Sequence, residues 1–261
     1  MILEINNLSF SYGSHEILKN ISLKLESPTV CSILGPNGIG KTSFIKCLLG
    51  LKKIKEGSIL LDGKDINKIN RKEFYSFVSY VKQGGKETSI YTALDTVLLG
   101  MASHINPLLK PKDADIEKVD NILKELNIYN LRDKYVSHLS GGEAQMVFMA
   151  RALIKNPEIL ILDEPESNLD YRNQLLILDV IRSLQQKGKL IIFNTHYPDH
   201  ALRYSNKTLL LNGYDKYKFG DTKEIITKEN IEQTFNINAA VGELKDGETI
   251  YKDIIPLSIR K

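Results

Sequence analysis

The chain has 261 residues, of which 42% are hydrophobic and 26% are charged, which is the balance of an ordinary globular protein. Its 35 basic and 32 acidic residues leave a net charge of +3, an excess too small and too scattered to predict binding to nucleic acid or to an acidic membrane surface. We expect no signal peptide and no membrane span, and the two cysteines inside apolar stretches, Cys31 and Cys47, fit a reducing compartment.

The first 83 residues are predicted to form strands around one glycine-rich loop. "ISLKLE" alternates apolar and polar residues, as half-buried strands do, whereas "TVCSILG" (29–35) is continuously apolar, like a buried parallel strand. Asp62 and Gly63 stand between two apolar runs, which indicates a hairpin turn. Residues 74–82, "FYSFVSYVK", alternate again and predict a further strand.

From residue 84 to about 155 the chain changes to a helical pattern. In 115–126 one helix face carries five apolar residues: Ile116, Val119, Ile122, Leu123 and Leu126. The remainder predicts strands at 158–165, 189–196 and 207–212, with a long helix over 171–187. Strands separated by helices favour a mainly parallel sheet with right-handed crossovers. After about residue 223 only a short helix signal, "KENIEQTF", is readable.

The glycine-rich loop "GPNGIGKTS" matches the phosphate-loop pattern G-x-x-x-x-G-K-[ST] between a buried strand and a helix. Its glycines let backbone N–H groups face phosphates, and the helix N-terminus adds partial positive charge. Lys41 is expected to reach the β- and γ-phosphates, and the Thr42 hydroxyl to bind Mg²⁺. The residues predicted to contact the nucleotide are Gly35, Pro36, Asn37, Gly38, Ile39, Gly40, Lys41, Thr42 and Ser43.

Two adjacent carboxylates end the apolar run "LILDEP", at the edge where open α/β sheets bind ligands. Asp163 is predicted to bind Mg²⁺ directly or through water, and Glu164 to act as the base that orients or deprotonates the attacking water. Without the phosphate loop, the same pair would be read as the cap of the next helix.

A second glycine loop, "LSGGEAQ", begins at Leu139 and precedes another predicted helix. Ser140 is placed to cap that helix, and Gly141 and Gly142 expose its first N–H groups, so the segment ending at Glu143 predicts a second anion site. A cap with only a structural purpose is the alternative.

In this order the motifs resemble those of the ATP-binding subunits of ABC transporters, and the resemblance covers nearly the whole chain. It implies an α/β fold: a P-loop NTPase core with a mainly parallel sheet, an N-terminal antiparallel β subdomain and a helical insert subdomain. We therefore predict a single domain over 1–261, with the insert at about 84–155 and a short C-terminal extension at about 223–261. LSGGE resembles the family signature, which faces the nucleotide held by the phosphate loop of a second subunit.

The resemblance also implies roles for residues that mean little alone. Tyr12 resembles the aromatic residue that stacks on adenine, and Gln83 resembles the glutamine that senses Mg²⁺ and the γ-phosphate. Asp170 resembles the aspartate of the loop that links two active sites, and His196 resembles the switch histidine that contacts the γ-phosphate.

Three positions depart from the family pattern. Ala144 and Met146 stand after the signature in place of polar or basic residues, and Glu166 replaces a small or hydroxyl residue in "ESNLD". The anion site itself is expected to survive, because backbone and Ser140 form it. Helix packing, surface charge and the rate of hydrolysis are the properties that these departures put in question.

The implied activity is Mg²⁺-dependent ATP hydrolysis by two copies joined head-to-tail at the cytoplasmic face of the cell membrane. The implied partners are integral-membrane permease subunits and, indirectly, an extracytoplasmic substrate-binding protein, with no nucleic acid. "ALDTVLLG", "THYPDHA" and "IIPL" look like segments of metal-chelate importers, whose cargo is an iron-siderophore, haem, cobalamin or molybdate.

The alternatives are a transporter subunit for another cargo, and a soluble ABC ATPase of DNA maintenance, translation or cluster assembly. A phosphate-loop kinase is a third interpretation, but it leaves LSGGE and His196 unexplained.

Overall fold

A computed structural model describes residues 1–83, 90–101 and 111–260 and divides the chain into two units. Unit 1 comprises Met1–Ile69 and Ile181–Lys261, and unit 2 comprises Asn70–Val180. The single domain predicted for 1–261 stays a prediction.

The helices and strands follow one another along the chain through both units. The first part of unit 1 contains β1 (Ile2–Tyr12), β2 (His15–Glu26), β3 (Thr29–Leu34), α1 (Lys41–Leu48), β4 (Glu56–Leu61) and β5 (Lys64–Asp65). Unit 2 contains α2 (Arg71–Phe77), β6 (Val78–Val81), α3 (Ala93–Leu98), α4 (Asp113–Glu125), α5 (Gly141–Leu153), β7 (Ile159–Asp163) and the start of α6 (Tyr171–Gln186). The second part of unit 1 contains β8 (Leu190–Asn194), α7 (Pro198–Tyr204), β9 (Lys207–Leu211), β10 (Tyr217–Asp221), α8 (Thr222–Ile225), α9 (Lys228–Phe235), β11 (Ile237–Asp246) and β12 (Thr249–Ile259).

An antiparallel sheet in the order β2-β1-β4-β5 forms the N-terminal part of unit 1. Leu3 lies opposite Leu25 and Ile5 opposite Leu23, so the alternating apolar residues bury one common face. The predicted hairpin turn is confirmed, because Asp62 and Gly63 both have positive φ, 47° and 78°, as a tight two-residue hairpin requires.

The strands β10-β9-β3-β8 form the central sheet of unit 1, with β3 parallel to both β8 and β9. β3 and β8 are buried along almost their whole length, which explains their continuous apolar runs. Ile33 lies beside Asn194 and Leu209 in the two neighbouring strands. The parallel register therefore brings the segments that follow β3, β8 and β9 to one edge of this sheet.

Unit 2 combines the parallel pair β6–β7 with a group of helices. α3, α4 and α5 pack around Val97, Val119, Leu123 and Val147, all fully buried. The helical pattern predicted for 84 to about 155 is confirmed at α3, α4 and α5, while 84–89 and 102–110 lie outside the described residues.

The strand predicted over 74–82 is wrong in its first half. Residues 71–77 form α2. Asn70 caps this helix, and its side chain accepts a hydrogen bond from the Lys72 N–H. Only Val78–Val81 are a strand. The alternation in "FYSF" reflects one buried aromatic residue, Phe74, on a short helix, and not the period of a sheet.

The predicted C-terminal helix is confirmed as α9, but the hairpin β11–β12 that follows it was not predicted. Ala239 and Ile254 anchor the hairpin by packing with Ala201, Ile226 and Ile231. Most other apolar side chains described on it are exposed, so its sequence lacks the alternation that marks a half-buried strand.

No helix within the described parts of the chain has both the length and the apolar character that a membrane span requires.

Two glycines with positive φ allow the β1–β4 pairing to be tested. A Cβ atom at Gly57 (φ 92°) would lie 2.3 Å from the Asn6 carbonyl oxygen and 2.5 Å from that of Asn7, whereas a Cβ at Gly63 (φ 78°) has no described atom within 4 Å. Gly63→Ala should therefore cost only backbone strain, about 1 kcal/mol. Gly57→Ala should cost several kcal/mol, at least about 3, because a backbone carbonyl must move. Thermal unfolding compares the two variants, and equal shifts in midpoint would contradict the close packing of Gly57.

Candidate functional site

The phosphate loop connects β3 to α1 and depends on glycine at two crowded positions. Gly35 has φ 152°, and a Cβ there would lie 2.6 Å from the Leu211 carbonyl oxygen. Gly40 has φ 113°, and a Cβ there would lie 2.7 Å from Cγ2 of Ile17. The neighbouring strands β2 and β9 therefore restrict both ends of the loop to a residue without a side chain.

Lys41, the first residue of α1, extends its side chain back into the loop. Its Nζ donates hydrogen bonds to the carbonyl oxygens of Gly35 at 2.8 Å and Pro36 at 3.2 Å, and the residue is 5% exposed. No described side chain caps α1 at Gly40. The loop thus places an ammonium group and a helix N-terminus beside each other, an arrangement suited to phosphate.

Two further predicted residues, Tyr12 and His196, lie in unit 1. Tyr12 ends β1 with 44% of its surface exposed; its ring contacts Phe10 edge-on at 4.8 Å, and the Lys52 ammonium lies 5.1 Å from its centroid. His196 follows β8, where the Thr195 N–H donates to the Ile33 carbonyl at 3.1 Å. His196 and the phosphate loop therefore leave the sheet of unit 1 at the same edge.

The carboxylates of the site lie at the end of β7 in unit 2. Asp163 is the last residue of the strand and is 3% exposed, and Glu164 follows it with φ 48°, a strained value for a side chain of this kind. Gln83 Nε2 donates to Glu164 Oε2 at 2.7 Å and to Ser167 Oγ at 3.3 Å. The structure thus brings the predicted base and the predicted sensing glutamine into direct contact.

Tyr80 on β6 is a member of this group that sequence reasoning missed. Its hydroxyl donates to Asp163 Oδ2 at 3.2 Å. Burial of the phenol raises the pKa of Tyr80 well above its ordinary value, and the nearby Asp163 carboxylate raises it further. The hydroxyl therefore remains a donor. The available signal was the position of Tyr80 in "SYVKQ", three residues before Gln83 on a strand leading to the sheet edge.

The second glycine loop begins α5 and has the predicted cap. Ser140 Oγ accepts from the Glu143 N–H at 3.3 Å, and Glu143 Oε2 accepts from the Ser140 N–H at 2.9 Å. The hydrogen bond from the Ser140 N–H lowers the pKa of Glu143, and the Ser140 side chain lowers it further. Glu143 is thus engaged in a capping box, and its predicted contact with nucleotide stays a prediction.

The loop before α6 lies against the start of α5. A Cβ at Gly142 would lie 2.4 Å from Asn173 Nδ2, and one at Gly141 would lie 3.9 Å from Leu169. Asp170 Oδ1 accepts from the Asn173 N–H at 2.8 Å and so caps the first turn of α6. The structure therefore brings the signature segment and the predicted linking aspartate together within unit 2.

Two of the positions that depart from the family pattern, Met146 and Glu166, are buried. Met146 belongs to the apolar side of α5, which explains why a polar residue is absent there.

The donor atoms fit a magnesium ion bound mainly through a nucleotide. Across the described residues there is no group of three or more His, Cys, Asp or Glu that would hold a metal without help. Mg²⁺ prefers oxygen and usually takes one or two protein ligands, with phosphates and water supplying the rest. The Asp163 carboxylate of unit 2 and the Thr42 hydroxyl of unit 1 each offer oxygen donors of that kind, and their binding of Mg²⁺ stays a prediction.

Known proteins resemble this chain over almost its full length. The family model described as ABC transporter matches residues 18–167. A Helicobacter pylori protein named for iron chelatin transport is 35% identical, over 90% of this chain and 93% of its own. The molybdate import protein MolC of Haemophilus influenzae is 32% identical, over 98% and 96%.

A solved structure described as an inward-facing conformation of a metal-chelate type ABC transporter superposes with a TM-score of 0.87 at 31% identity, covering 98% of this chain and 97% of that one. The predicted fold class, a P-loop NTPase core with an antiparallel β subdomain and a helical insert, is confirmed. With a phosphate loop, a carboxylate pair and a signature helix in place, the chain belongs to the ABC transporter family as an ATP-binding subunit with ATPase activity.

Proposed function

We propose that two copies of this chain close head-to-tail around two Mg-ATP molecules and power the import of a metal chelate through a membrane permease. The observation that carries the proposal is that two glycine loops each lead into the N-terminus of a helix, one at Gly40 and the other at Ser140. One loop binds the chain's own nucleotide and the other contacts the nucleotide of the second copy.

Nucleotide binding is assigned to residues of unit 1. Backbone N–H groups of the phosphate loop and the Lys41 ammonium bind the phosphates, and the exposed ring of Tyr12 stacks on adenine. Thr42 of unit 1 and Asp163 and Gln83 of unit 2 are the residues that would hold Mg²⁺, which would supply positive charge against the phosphates.

Hydrolysis is assigned to Glu164 and Gln83 of unit 2, and a contact with the γ-phosphate is assigned to His196 of unit 1. Glu164 accepts the proton of the attacking water, and its hydrogen bond with Gln83 orients the carboxylate. His196 donates to the γ-phosphate from the same sheet edge as the phosphate loop.

The second copy supplies the remaining contacts. A two-fold pair makes both sites equivalent, because each copy offers the same phosphate loop and the same signature. In unit 2 the capped start of α5 lies against the Leu169–Asn173 segment, so Ser140 and Asp170 reach the same partner surface. Loss of the γ-phosphate removes the link between the two copies and lets them separate.

The permease is proposed to contact the helical insert. The insert follows Gln83 along the chain. Beside α3 it exposes the large apolar side chains of Ile90, Tyr91 and Leu99, and Ile90 is 80% exposed. Apolar side chains of this kind suit a docking contact with another protein. The complex would lie at the cytoplasmic face of the cell membrane, with an extracytoplasmic substrate-binding protein delivering cargo to the permease.

The cargo class is proposed from the relatives. Proteins named for iron chelatin transport and molybdate import, together with a metal-chelate type transporter, are similar over nearly all of this chain. These names support an iron-siderophore or molybdate-type cargo, while haem and cobalamin stay predictions from the resemblance.

Glu164→Gln should slow ATP turnover by at least about 100-fold, because the amide cannot accept the proton of the attacking water. Affinity for ATP, measured with a fluorescent analogue, should stay near that of the unchanged protein. Glu117→Gln, which alters an exposed carboxylate on α4, is the matched control and should leave turnover unchanged. Turnover by Glu164→Gln equal to that of the control would remove Glu164 from its role as base.

Transport is tested by which proteins co-purify with the tagged chain from detergent-solubilised membranes. A protein with many membrane spans should be recovered in a fixed ratio to the tagged chain. Less of that membrane protein should be recovered with a variant in which Ile90 and Leu99 are both changed to Ser. Ribosomes or DNA in place of a membrane protein would favour the soluble ATPase instead.

A further inference from the structure

The Tyr80 hydroxyl contacts one oxygen of Asp163, the carboxylate to which metal binding is assigned. The donor–acceptor distance, 3.2 Å, is at the long end for a hydrogen bond between oxygens. Asp163 is 3% exposed and Tyr80 is partly buried, so water competes little for this contact.

The register of β6 and β7 explains why this tyrosine reaches this carboxylate. The strands are parallel, and Tyr80 lies beside Ile161, two residues before Asp163. Ile161 and Asp163 point to the same face because side chains alternate along a strand. Ser79 points to the other face of β6, where its hydroxyl donates to the Ala152 carbonyl at 2.7 Å.

We propose that Tyr80 is a positioning residue for the magnesium ion of the bound nucleotide, an inference that rests on the proposed function. Tyr80 restricts the rotation of the Asp163 carboxylate by donating to Oδ2, and a carboxylate held in this orientation would bind Mg²⁺ directly or through water. Groups that hydrogen-bond a metal ligand restrict its orientation, and their loss weakens metal binding without removing the ligand.

The competing explanation is that Asp163 only satisfies a buried phenol. In that case the loss of the hydroxyl would lower stability and leave the effect of Mg²⁺ on nucleotide binding unchanged. The two explanations therefore differ in the ratio between nucleotide affinity measured with Mg²⁺ and nucleotide affinity measured with EDTA.

Tyr80→Phe removes the hydroxyl and retains the ring, and Ser79→Ala is the matched control, because it removes a buried hydrogen bond from the opposite face of the same strand. Affinity for a fluorescent, non-hydrolysable ATP analogue is measured with Mg²⁺ and with EDTA. In EDTA, Tyr80→Phe should bind the analogue as tightly as the unchanged protein. The gain in affinity that Mg²⁺ confers should be about three- to tenfold smaller in the variant than in the unchanged protein. The Mg²⁺ concentration for half-maximal ATP turnover should rise by a similar factor.

Ser79→Ala should lower the thermal unfolding midpoint while retaining the full Mg²⁺-dependent gain in affinity. A Tyr80→Phe variant with that same gain, or with an equal loss of affinity in EDTA, would overturn the positioning role. If the unchanged protein itself binds nucleotide equally well with and without Mg²⁺, the magnesium site of the proposed function fails, and the inference fails with it.

Discussion

The nucleotide site depends first on the shape of one loop. Four negative charges of ATP must be bound by backbone N–H groups that turn inward together, and few residues permit that conformation. Gly35 and Gly40 provide it where β9 and β2 leave no room for a Cβ atom. Lys41 then stabilises the loop from within, since its ammonium donates to two loop carbonyls beside the helix N-terminus to which phosphate binding is proposed.

The second glycine loop uses the same residue type for a different constraint. Gly142 packs closely on Asn173, whose side chain would have to shift to admit a Cβ atom, and Ser140 and Glu143 cap the helix reciprocally. This packing brings the start of α5 and the Asp170 segment together in unit 2. The proposed shared anion site would therefore be built on a capped helix end, whose backbone N–H groups are already aligned for an anion.

The sequence alone predicts the parts of the site that depend on local order. The phosphate loop, the carboxylate pair after β7 and the signature are each contiguous, and their chemistry follows from spacing and from the flanking strand or helix. Tyr80 was missed because its contact with Asp163 arises from the β6–β7 register, and its position before Gln83 does not by itself identify that partner. The hairpin β11–β12 was missed for a related reason. Ala239 and Ile254 pack on residues of unit 1 that are distant in the sequence, and the exposed remainder carries no strand period. The strand predicted from residue 74 was wrong because Asn70 caps a helix, α2, and the alternating pattern was too short to indicate a strand.

The central claim, that each nucleotide is split between two copies, is tested most directly by mixing two inactive variants. Lys41→Ala impairs the phosphate loop. Gly141→Asp places a negative charge at the signature, where it repels phosphate. The new side chain has room there, and a carboxylate is compatible with a helix N-terminus, so the helix should still form. If the signature serves the partner's nucleotide, each mixed dimer holds one intact site, and an equal mixture should recover about a quarter of normal ATP turnover. If each chain used its own signature, neither chain of a mixed dimer would hold an intact site, and turnover that stayed at the level of the separate variants would contradict the account.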